Sequence, residues 1–179
     1  MTRILGIDPG FERLGIAILE RDKKSASAQG RSTLRVSDSM SYGGTRESVV
    51  FSECFKTSAK LEFSERLKLI GEEVRRVIKE YQPEVLAIET LFLNTNQKTV
   101  MRVAEARGVA IYEGAQAKLR IFEASPPQIK IATTGYGRAN KEQMMKMLKI
   151  LVDIEKNKTS DDEMDAIAIA LTALAHTKF

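Results

Sequence analysis

Acidic residues occupy four positions of this chain where their spacing could place them in one site. Asp8 and Glu89 each come directly after a short apolar segment, which is not a position that suits a core residue. Asp162 and Asp165 lie three residues apart at the start of a predicted helix, so their side chains share one helix face. A turn, an exposed strand end or helix capping explains each residue taken singly. Together, the four carboxylates can converge at one end of a sheet.

Converging carboxylates favour metal-ion chemistry. Clustered negative charges repel one another unless a cation compensates them. Hard divalent cations prefer oxygen ligands, and two such ions about 3.5–4 Å apart can activate a water and stabilise the leaving oxygen in phosphodiester hydrolysis. The pattern therefore predicts a hydrolytic site that holds two Mg²⁺ ions, with Mn²⁺ as a substitute.

The single cysteine and the single histidine exclude other chemistries. Cys54 and His176 allow neither a disulfide within the chain nor a Cys/His zinc site. A nucleophilic pair is disfavoured, because Cys54 lies in an alternating, strand-like segment where a small apolar residue suits packing.

The predicted elements form a leading meander and then alternate. The order is three strands, helix, strand, helix, strand, helix, helix, which predicts an α/β fold with a mixed sheet and helices on both faces. We expect one domain over 1–179, with an extended polar hairpin or loop at about 22–48. Predicted strands lie at 4–7, 14–19, 49–57, 85–88 and 121–124, and predicted helices at 64–81, within 94–118, at 141–151 and at 162–176.

Composition indicates a globular protein and is consistent with a polyanionic partner, although the excess of basic residues is weak evidence by itself. Hydrophobic residues make up 43% and charged residues 29% of the 179 positions, and the net charge is +4. No apolar run approaches the roughly 20 residues of a membrane span, and no signal peptide is recognisable, so we expect a cytoplasmic protein. Basic residues crowd the last third of the chain. They suit DNA contact, although a solvated helix face is the alternative.

Five segments resemble, in order, the RuvC family of Holliday-junction resolvases. They cover almost the whole chain apart from roughly 22–48. Each motif alone is weak evidence for the family, but five motifs in the family's order are strong evidence. The resemblance implies an RNase H-like fold. The segments are Ile4-Leu5-Gly6-Ile7-Asp8-Pro9-Gly10, Ala87-Ile88-Glu89-Thr90-Leu91-Phe92, Ala106-Arg107-Gly108-Val109-Ala110, Gly135-Tyr136-Gly137-Arg138-Ala139-Asn140-Lys141 and Asp161-Asp162-Glu163-Met164-Asp165-Ala166-Ile167-Ala168-Ile169-Ala170.

The resemblance also implies roles for single residues. Phe92 matches the aromatic residue that the family inserts near the exchange point of the junction, and stacking on a base suits its place before a polar loop. Core packing is the alternative for Phe92, and ordinary solvation the alternative for Lys141. The implied metal-binding catalytic residues are Asp8, Glu89, Asp162 and Asp165, and the implied DNA contacts are Phe92, Lys98, Lys130, Arg138 and Lys141.

Two departures from the family pattern bear on DNA contact. Thr95 stands where the family usually has a lysine in the loop after the glutamate strand, although Lys98 is close by. The stretch 22–48 is longer than the family usually has between its second and third strands.

The implied activity is cleavage of four-way DNA junctions in recombination and repair. Paired symmetric nicks would leave 5′-phosphate and 3′-hydroxyl ends, made by a homodimer whose two-fold axis matches that of the junction. A branch-migration motor is a further expected partner. A binding module without cleavage and a related nuclease with another substrate, such as RNA–DNA hybrids or flaps, are the alternatives. An actin-like ATPase is disfavoured, because 179 residues leave no room for two domains.

Overall fold

A computed structural model gives the arrangement of most of the chain. The structure describes residues 1–21, 47–91, 97–155 and 159–176, with the backbone alone at 97 and 98. Most of the predicted 22–48 excursion, and Phe92 and Thr95, therefore lie outside the described residues. Glu47 and Ser48 belong to a strand and not to the excursion.

The described residues form one mixed six-stranded sheet. Its strands are β1 (Thr2–Asp8), β2 (Arg13–Arg21), β3 (Glu47–Lys56), β4 (Val85–Glu89), β5 (Arg120–Ala124) and β6 (Val152–Asp153). They lie side by side in the order β5-β4-β1-β2-β3-β6. β1, β2 and β3 pair antiparallel, whereas β4 pairs parallel to β1 and β5 parallel to β4. The predicted mixed sheet with three leading antiparallel strands is confirmed.

Helices cover both faces of this sheet, as the sequence predicted. They are α1 (Phe63–Tyr81), α2 (Gln97–Gln116), α3 (Pro126–Thr134), α4 (Lys141–Leu151) and α5 (Asp161–His176). α1 and α2 pack on one face, and α5, α3 and α4 pack on the other. None of the described helices is both long and apolar enough to cross a membrane.

The alternation of side chains along β1 separates two hydrophobic cores. Ile4 belongs to the core beneath α5, whereas Leu5 and Ile7 belong to the core beneath α1 and α2. Because successive side chains of a strand point to opposite faces, the even-numbered residues of β1 face α5. Asp8 is therefore directed to the α5 side of the sheet, at the strand's last residue.

Helix α5 is buried on nearly all sides, because it lies between the sheet and the helices α3 and α4. The residues from Met164 to Leu174 are buried except Asp165. The helix approaches the sheet closely at two glycines. A Cβ at Gly6 would lie 2.2 Å from the carbonyl oxygen of Ala166, and one at Gly15 would lie 2.1 Å from that of Asp162. Only glycine fits between these strands and the helix backbone.

Two elements correct the order expected from sequence. The nine-residue helix α3 was not predicted, because Pro126-Pro127 favours a loop. Proline is tolerated in the first helical turn, and Gln128 closes that turn by accepting a hydrogen bond from the backbone N–H of Ser125 at 2.8 Å. The two-residue strand β6 was also missed, since it exists only through pairing with Glu47 and Ser48.

Candidate active site

Two of the acidic residues lie at the ends of neighbouring parallel strands. Ile7 of β1 pairs with Ile88 of β4, so the next residues, Asp8 and Glu89, end their strands side by side. Val85 and Ala87 of β4 pack in the core beneath α5, and Glu89 shares their parity along the strand. Both carboxylates are therefore presented to the same face of the sheet, which is the face that α5 covers.

The first turn of α5 brings further carboxylates to this place. The contact between Gly15 and the backbone of Asp162 fixes the start of the helix beside Asp8, since Gly15 pairs with Asp8 across β1 and β2. Asp165 follows one turn later. Asp8, Glu89 and Asp165 line one cavity of about 250 Å³, which Lys130, Lys141, Pro126, Ile129, Met144 and Ile169 complete.

The carboxylates of this cavity destabilise one another's charge. Burial, followed by the charges of Asp165, Glu89 and Asp162, raises the pKa of Asp8 from 3.8 to about 7. Burial and the charge of Asp165 raise the pKa of Glu89, and burial is also the largest cause that raises the pKa of Asp165. A cluster of this kind is an unfavourable arrangement for a protein core and a favourable one for binding a cation.

Lys141 provides positive charge on the other side of the cavity. Its Nζ lies 3.1 Å from Oδ2 of Asp165 and 3.3 Å from Oδ2 of Asp161, and its charge lowers the pKa of Asp8. Lys141 is the first residue of α4, which Asn140 caps by accepting a hydrogen bond from the N–H of Gln143 at 2.9 Å. Lys130 reaches the cavity from α3. The cavity therefore combines carboxylates with two ammonium groups.

Asp162 differs from the other three acidic residues, because its carboxylate does not line this cavity. Its Oδ2 lies 2.6 Å from Nη2 of Arg13 and 3.3 Å from Sγ of Cys54. Asp162 and Asp165 start from the same end of α5, but their carboxylates diverge. Sequence reasoning missed Arg13, which stands in no motif and meets Asp162 only in the folded chain.

The single cysteine and the single histidine lie in different environments. Cys54 is half-buried on β3, as its strand-like segment predicted, and its Sγ also contacts the carboxylate of Asp162. His176 lies at the far end of α5, with its ring 5.8 Å from that of Phe122 and its Nδ1 2.8 Å from the carbonyl oxygen of Thr172. Cys54 and His176 thus have separate partners.

The residues expected to contact DNA are distributed over the site and its surroundings. Lys130 and Lys141 line the cavity, whereas Arg138 is exposed on the turn between α3 and α4. Lys98 lies on α2, but its side chain is outside the described part of the structure, as is all of Phe92. DNA contact by these five residues remains a prediction.

A second residue that sequence reasoning did not single out is Arg107 of α2. Its Nε donates a hydrogen bond to the carbonyl oxygen of Glu89 at 2.8 Å, and its guanidinium pairs with Glu123 on β5. Arg107 thereby ties the ends of β4 and β5 together and holds the backbone of Glu89. Arg107 belongs to the Ala106–Ala110 motif, and that motif is the feature of the sequence from which its role could have been predicted.

The donor set fits a hard divalent cation. All the acidic donors are carboxylate oxygens, which Mg²⁺ and Mn²⁺ prefer. Burial first, and then the charges of the other carboxylates, raise the pKa of Asp8. Within the described ranges no three acidic, cysteine or histidine side chains already converge on one point as metal ligands. Arg13 and Lys141 instead pair with the carboxylates of Asp162 and Asp165.

Comparison with known proteins identifies what this arrangement resembles. The family model described as "Crossover junction endodeoxyribonuclease RuvC" matches residues 36–173. Two proteins of that name are similar over most of their length. The one from Halothermothrix orenii is 39% identical over 94% of this chain and 89% of its own, and the one from Thermosipho melanesiensis is 36% identical over 99% of both.

Solved structures give the same result for the fold. The Thermus thermophilus RuvC structure has a TM-score of 0.78 and 25% identity, and covers 97% of this chain and 93% of its own. A structure of T. thermophilus RuvC in complex with a Holliday junction substrate has a TM-score of 0.80 at 24% identity, with the same coverage. The expected RNase H-like architecture is confirmed.

Proposed function

Because this chain belongs to the RuvC family of crossover junction endodeoxyribonucleases, we propose that it resolves four-way DNA junctions by hydrolysing phosphodiester bonds at the cavity beside Asp8. Relatives of that name match nearly the whole chain at 36–39% identity. Family membership supports the substrate class, and the cavity supports the chemistry.

One observation carries the chemical part of the proposal. A single cavity at the strand ends contains Asp8, Glu89 and Asp165 together with Lys130 and Lys141. The carboxylates can bind a divalent cation, and the ammonium groups can bind the DNA phosphate on which the cation would act. A module that only binds DNA would gain nothing from half-buried carboxylates that face a phosphate. This argues against the non-cleaving alternative.

We propose Mg²⁺ as the cofactor, with two ions in each site and Mn²⁺ as a substitute. Asp8, Glu89, Asp162 and Asp165 would hold the ions, with Asp8 in the central position because the charges of the other three all act on it. When bound, cations held by these residues would supply Lewis-acid stabilisation of charge on the phosphate oxygens. Asp8, whose ionised form burial and repulsion disfavour, would be ionised beside such a cation.

The protein's own groups position the substrate around these carboxylates. Lys130 and Lys141 lie on two different helices that flank the cavity, and both donate positive charge toward a phosphate placed there. Arg107 holds the backbone of Glu89 and so keeps its carboxylate in register with Asp8. We propose that exposed Arg138 contacts DNA beyond the cavity, together with Lys98 and Phe92.

The assembly is also part of the proposal. A four-way junction has two-fold symmetry, so a homodimer can present two sites to strands of like polarity and make paired, symmetric nicks. We propose this homodimer as the active form of a single-domain enzyme in the cytoplasm, with a branch-migration motor as a partner. Light scattering coupled to size exclusion, with and without junction DNA, measures the number of subunits.

The first experiment compares a synthetic four-way junction with linear duplex of equal length, in Mg²⁺ and then in EDTA. We expect symmetric nicks confined to the junction and dependent on the metal. An RNA–DNA hybrid and a flap substrate are added as competitors, because preferential cutting of either would replace junction resolution by another nuclease activity.

Matched variants connect the activity to the cavity. Asp8→Asn should bind the junction without cutting it, whereas Asp153→Asn makes the same chemical change at an exposed position on β6 and should cut normally. Normal cutting by Asp8→Asn would remove the proposed site. Tight junction binding by the wild type without nicks, in Mn²⁺ as well as Mg²⁺, would make the protein a binding module.

A further inference from the structure

The ion pair between Asp162 and Arg13 holds one acidic side chain apart from the cavity. Asp8, Glu89 and Asp165 line the cavity, but Oδ2 of Asp162 lies 2.6 Å from Nη2 of Arg13. The Sγ of Cys54 approaches the same oxygen at 3.3 Å. Asp162 is nevertheless close enough for its charge to act on Asp8. The ion pair with Arg13 is the contact that would have to open for this carboxylate to turn toward the others.

The backbone explains why Arg13 meets Asp162. Arg13 is the first residue of β2. Cys54 lies on the neighbouring strand β3, where it pairs with Gly15 of β2. The carbonyl of Asp162 lies over Gly15, so the helix starts directly above this pair of strands. Asp162 therefore stands between two sets of neighbours. Arg13 and Cys54 lie on the β2–β3 side, and the cavity lies on the β1–β4 side.

The two partners of the ion pair differ in exposure. The side chain of Arg13 is 53% exposed, whereas that of Asp162 is 23% exposed. An ion pair with a solvated guanidinium is weak, so a doubly charged cation or a phosphate can displace it. Arginine is also a strong phosphate ligand, because its planar fork matches two phosphate oxygens. Because the guanidinium of Arg13 is already half-exposed, it can leave the carboxylate of Asp162 and bind a DNA phosphate without a rearrangement of the surrounding residues.

We propose that Arg13 is a positioning residue that holds Asp162 out of the cavity in the DNA-free protein, and that it transfers to a substrate phosphate when DNA binds, which releases Asp162 to the divalent cation. This inference rests on the proposed junction cleavage. It has a thermodynamic consequence: metal and DNA must each raise the affinity for the other, because both draw the Arg13–Asp162 pair apart. Arg13 would then favour assembly of the metal site on the substrate.

The first arm of the test measures metal binding without DNA. Mn²⁺ is titrated into the full-length protein, and free Mn²⁺ is followed by electron paramagnetic resonance. Arg13→Gln should bind Mn²⁺ about two- to fivefold more tightly than the wild type, because the competing cation is gone. Arg76→Gln removes the same charge from a residue that pairs with Glu73 and Glu80 on α1, and it should bind Mn²⁺ like the wild type. Unchanged or weaker binding by Arg13→Gln would overturn the inference.

The second arm measures junction binding in EDTA over a range of salt concentrations. Loss of one phosphate contact should reduce the slope of log affinity against log salt by about 1 in Arg13→Gln. Arg13→Lys keeps the charge and should restore the wild-type slope. If Arg13→Gln fails to fold, the wild type still tests the proposal, because Mn²⁺ must then raise its junction affinity, and the absence of this coupling would overturn the proposal. A wild-type slope in Arg13→Gln would show that Arg13 does not transfer to phosphate and would contradict the proposal.

Cleavage by the wild type is measured in parallel to separate the two proposals. A wild type that does not cut junctions refutes the proposed function itself. A wild type that cuts, combined with unchanged Mn²⁺ affinity in Arg13→Gln, refutes only the role of Arg13.

Discussion

Replacement of Asp8 by asparagine should stabilise the metal-free protein at neutral and alkaline pH, although it removes a residue proposed to be catalytic. Burial and the charges of Asp165, Glu89 and Asp162 raise the pKa of Asp8 from 3.8 to about 7. The ionised carboxylate is therefore a cost to the fold. Asparagine has nearly the same shape, carries no charge, and can donate hydrogen bonds to the neighbouring carboxylates.

The pH dependence has a definite sign. Between pH 4 and 7 the folded protein holds a proton on Asp8 that the unfolded chain has lost, so the free energy of unfolding falls as pH rises through this window. Each tenfold change in proton affinity corresponds to about 1.4 kcal/mol, so the change from 3.8 to about 7 sets an upper limit of about 4 kcal/mol. Because Asp8, Glu89 and Asp165 titrate as a coupled group, protons held by the neighbours already relieve part of this cost, and we expect a gain of about 2 kcal/mol from Asp8→Asn.

Urea unfolding in EDTA at pH 5 and pH 8 measures this effect. The free energy of unfolding of Asp8→Asn should exceed that of the wild type by more at pH 8 than at pH 5. In thermal unfolding at pH 8, about 2 kcal/mol corresponds to an increase in Tm of about 4–8 °C. Added Mg²⁺ should stabilise the wild type more than the variant, because only the wild type keeps the full ligand set. An Asp8→Asn protein that is no more stable than the wild type at pH 8 would refute the claim that repulsion destabilises this cavity.

Two further substitutions test the neighbours of Asp8. Lys141→Gln removes the ammonium group 3.1 Å from Asp165, so at pH 8 in EDTA the variant should be less stable than the wild type, with a smaller loss at pH 5, where more carboxylate is protonated. An equal loss at both pH values would contradict this role of Lys141. Gly15→Ala would place a methyl group 2.1 Å from the carbonyl oxygen of Asp162, so we expect a loss of about 1–3 kcal/mol in urea unfolding together with loss of junction cleavage. Gly108→Ala is the control, because a Cβ there meets no atom of the described residues within 4 Å and should raise stability by about 0.5–1 kcal/mol. If both alanine variants behave alike, the close approach of α5 to the sheet is not what Gly15 permits.

Most of the fold could be predicted from the sequence, because its long elements carry their own periodic patterns. Helix α1 has one apolar face at helical spacing, with Ile70, Val74 and Val77 buried, and it ends at Gln82, which adopts a left-handed conformation before Pro83. The elements that were missed depend on distant or local detail. Helix α3 begins with two prolines, and β6 exists only because Glu47 lies beside Val152.

The candidate site divides in the same way. Asp8 and Glu89 could be placed together from sequence, because each ends an apolar strand and the carboxyl ends of parallel neighbours meet. The spacing of three between Asp162 and Asp165 on a predicted helix added the acidic pair of α5, and the family resemblance implied metal-binding roles for all four carboxylates. The sequence alone also restricted the type of metal site, since any metal ion held by a chain with one cysteine and one histidine would need carboxylate ligands.

Only the tertiary structure decided which way each carboxylate points. Spacing places Asp162 and Asp165 on one side of a helix, but it carries no information about which side chains the sheet brings against that helix. Arg13 and Lys141 come from distant parts of the chain, and they draw the two carboxylates in different directions. The physical reason is that the orientation of a charged side chain follows the field of its neighbours in space, and those neighbours are set by packing and not by sequence separation.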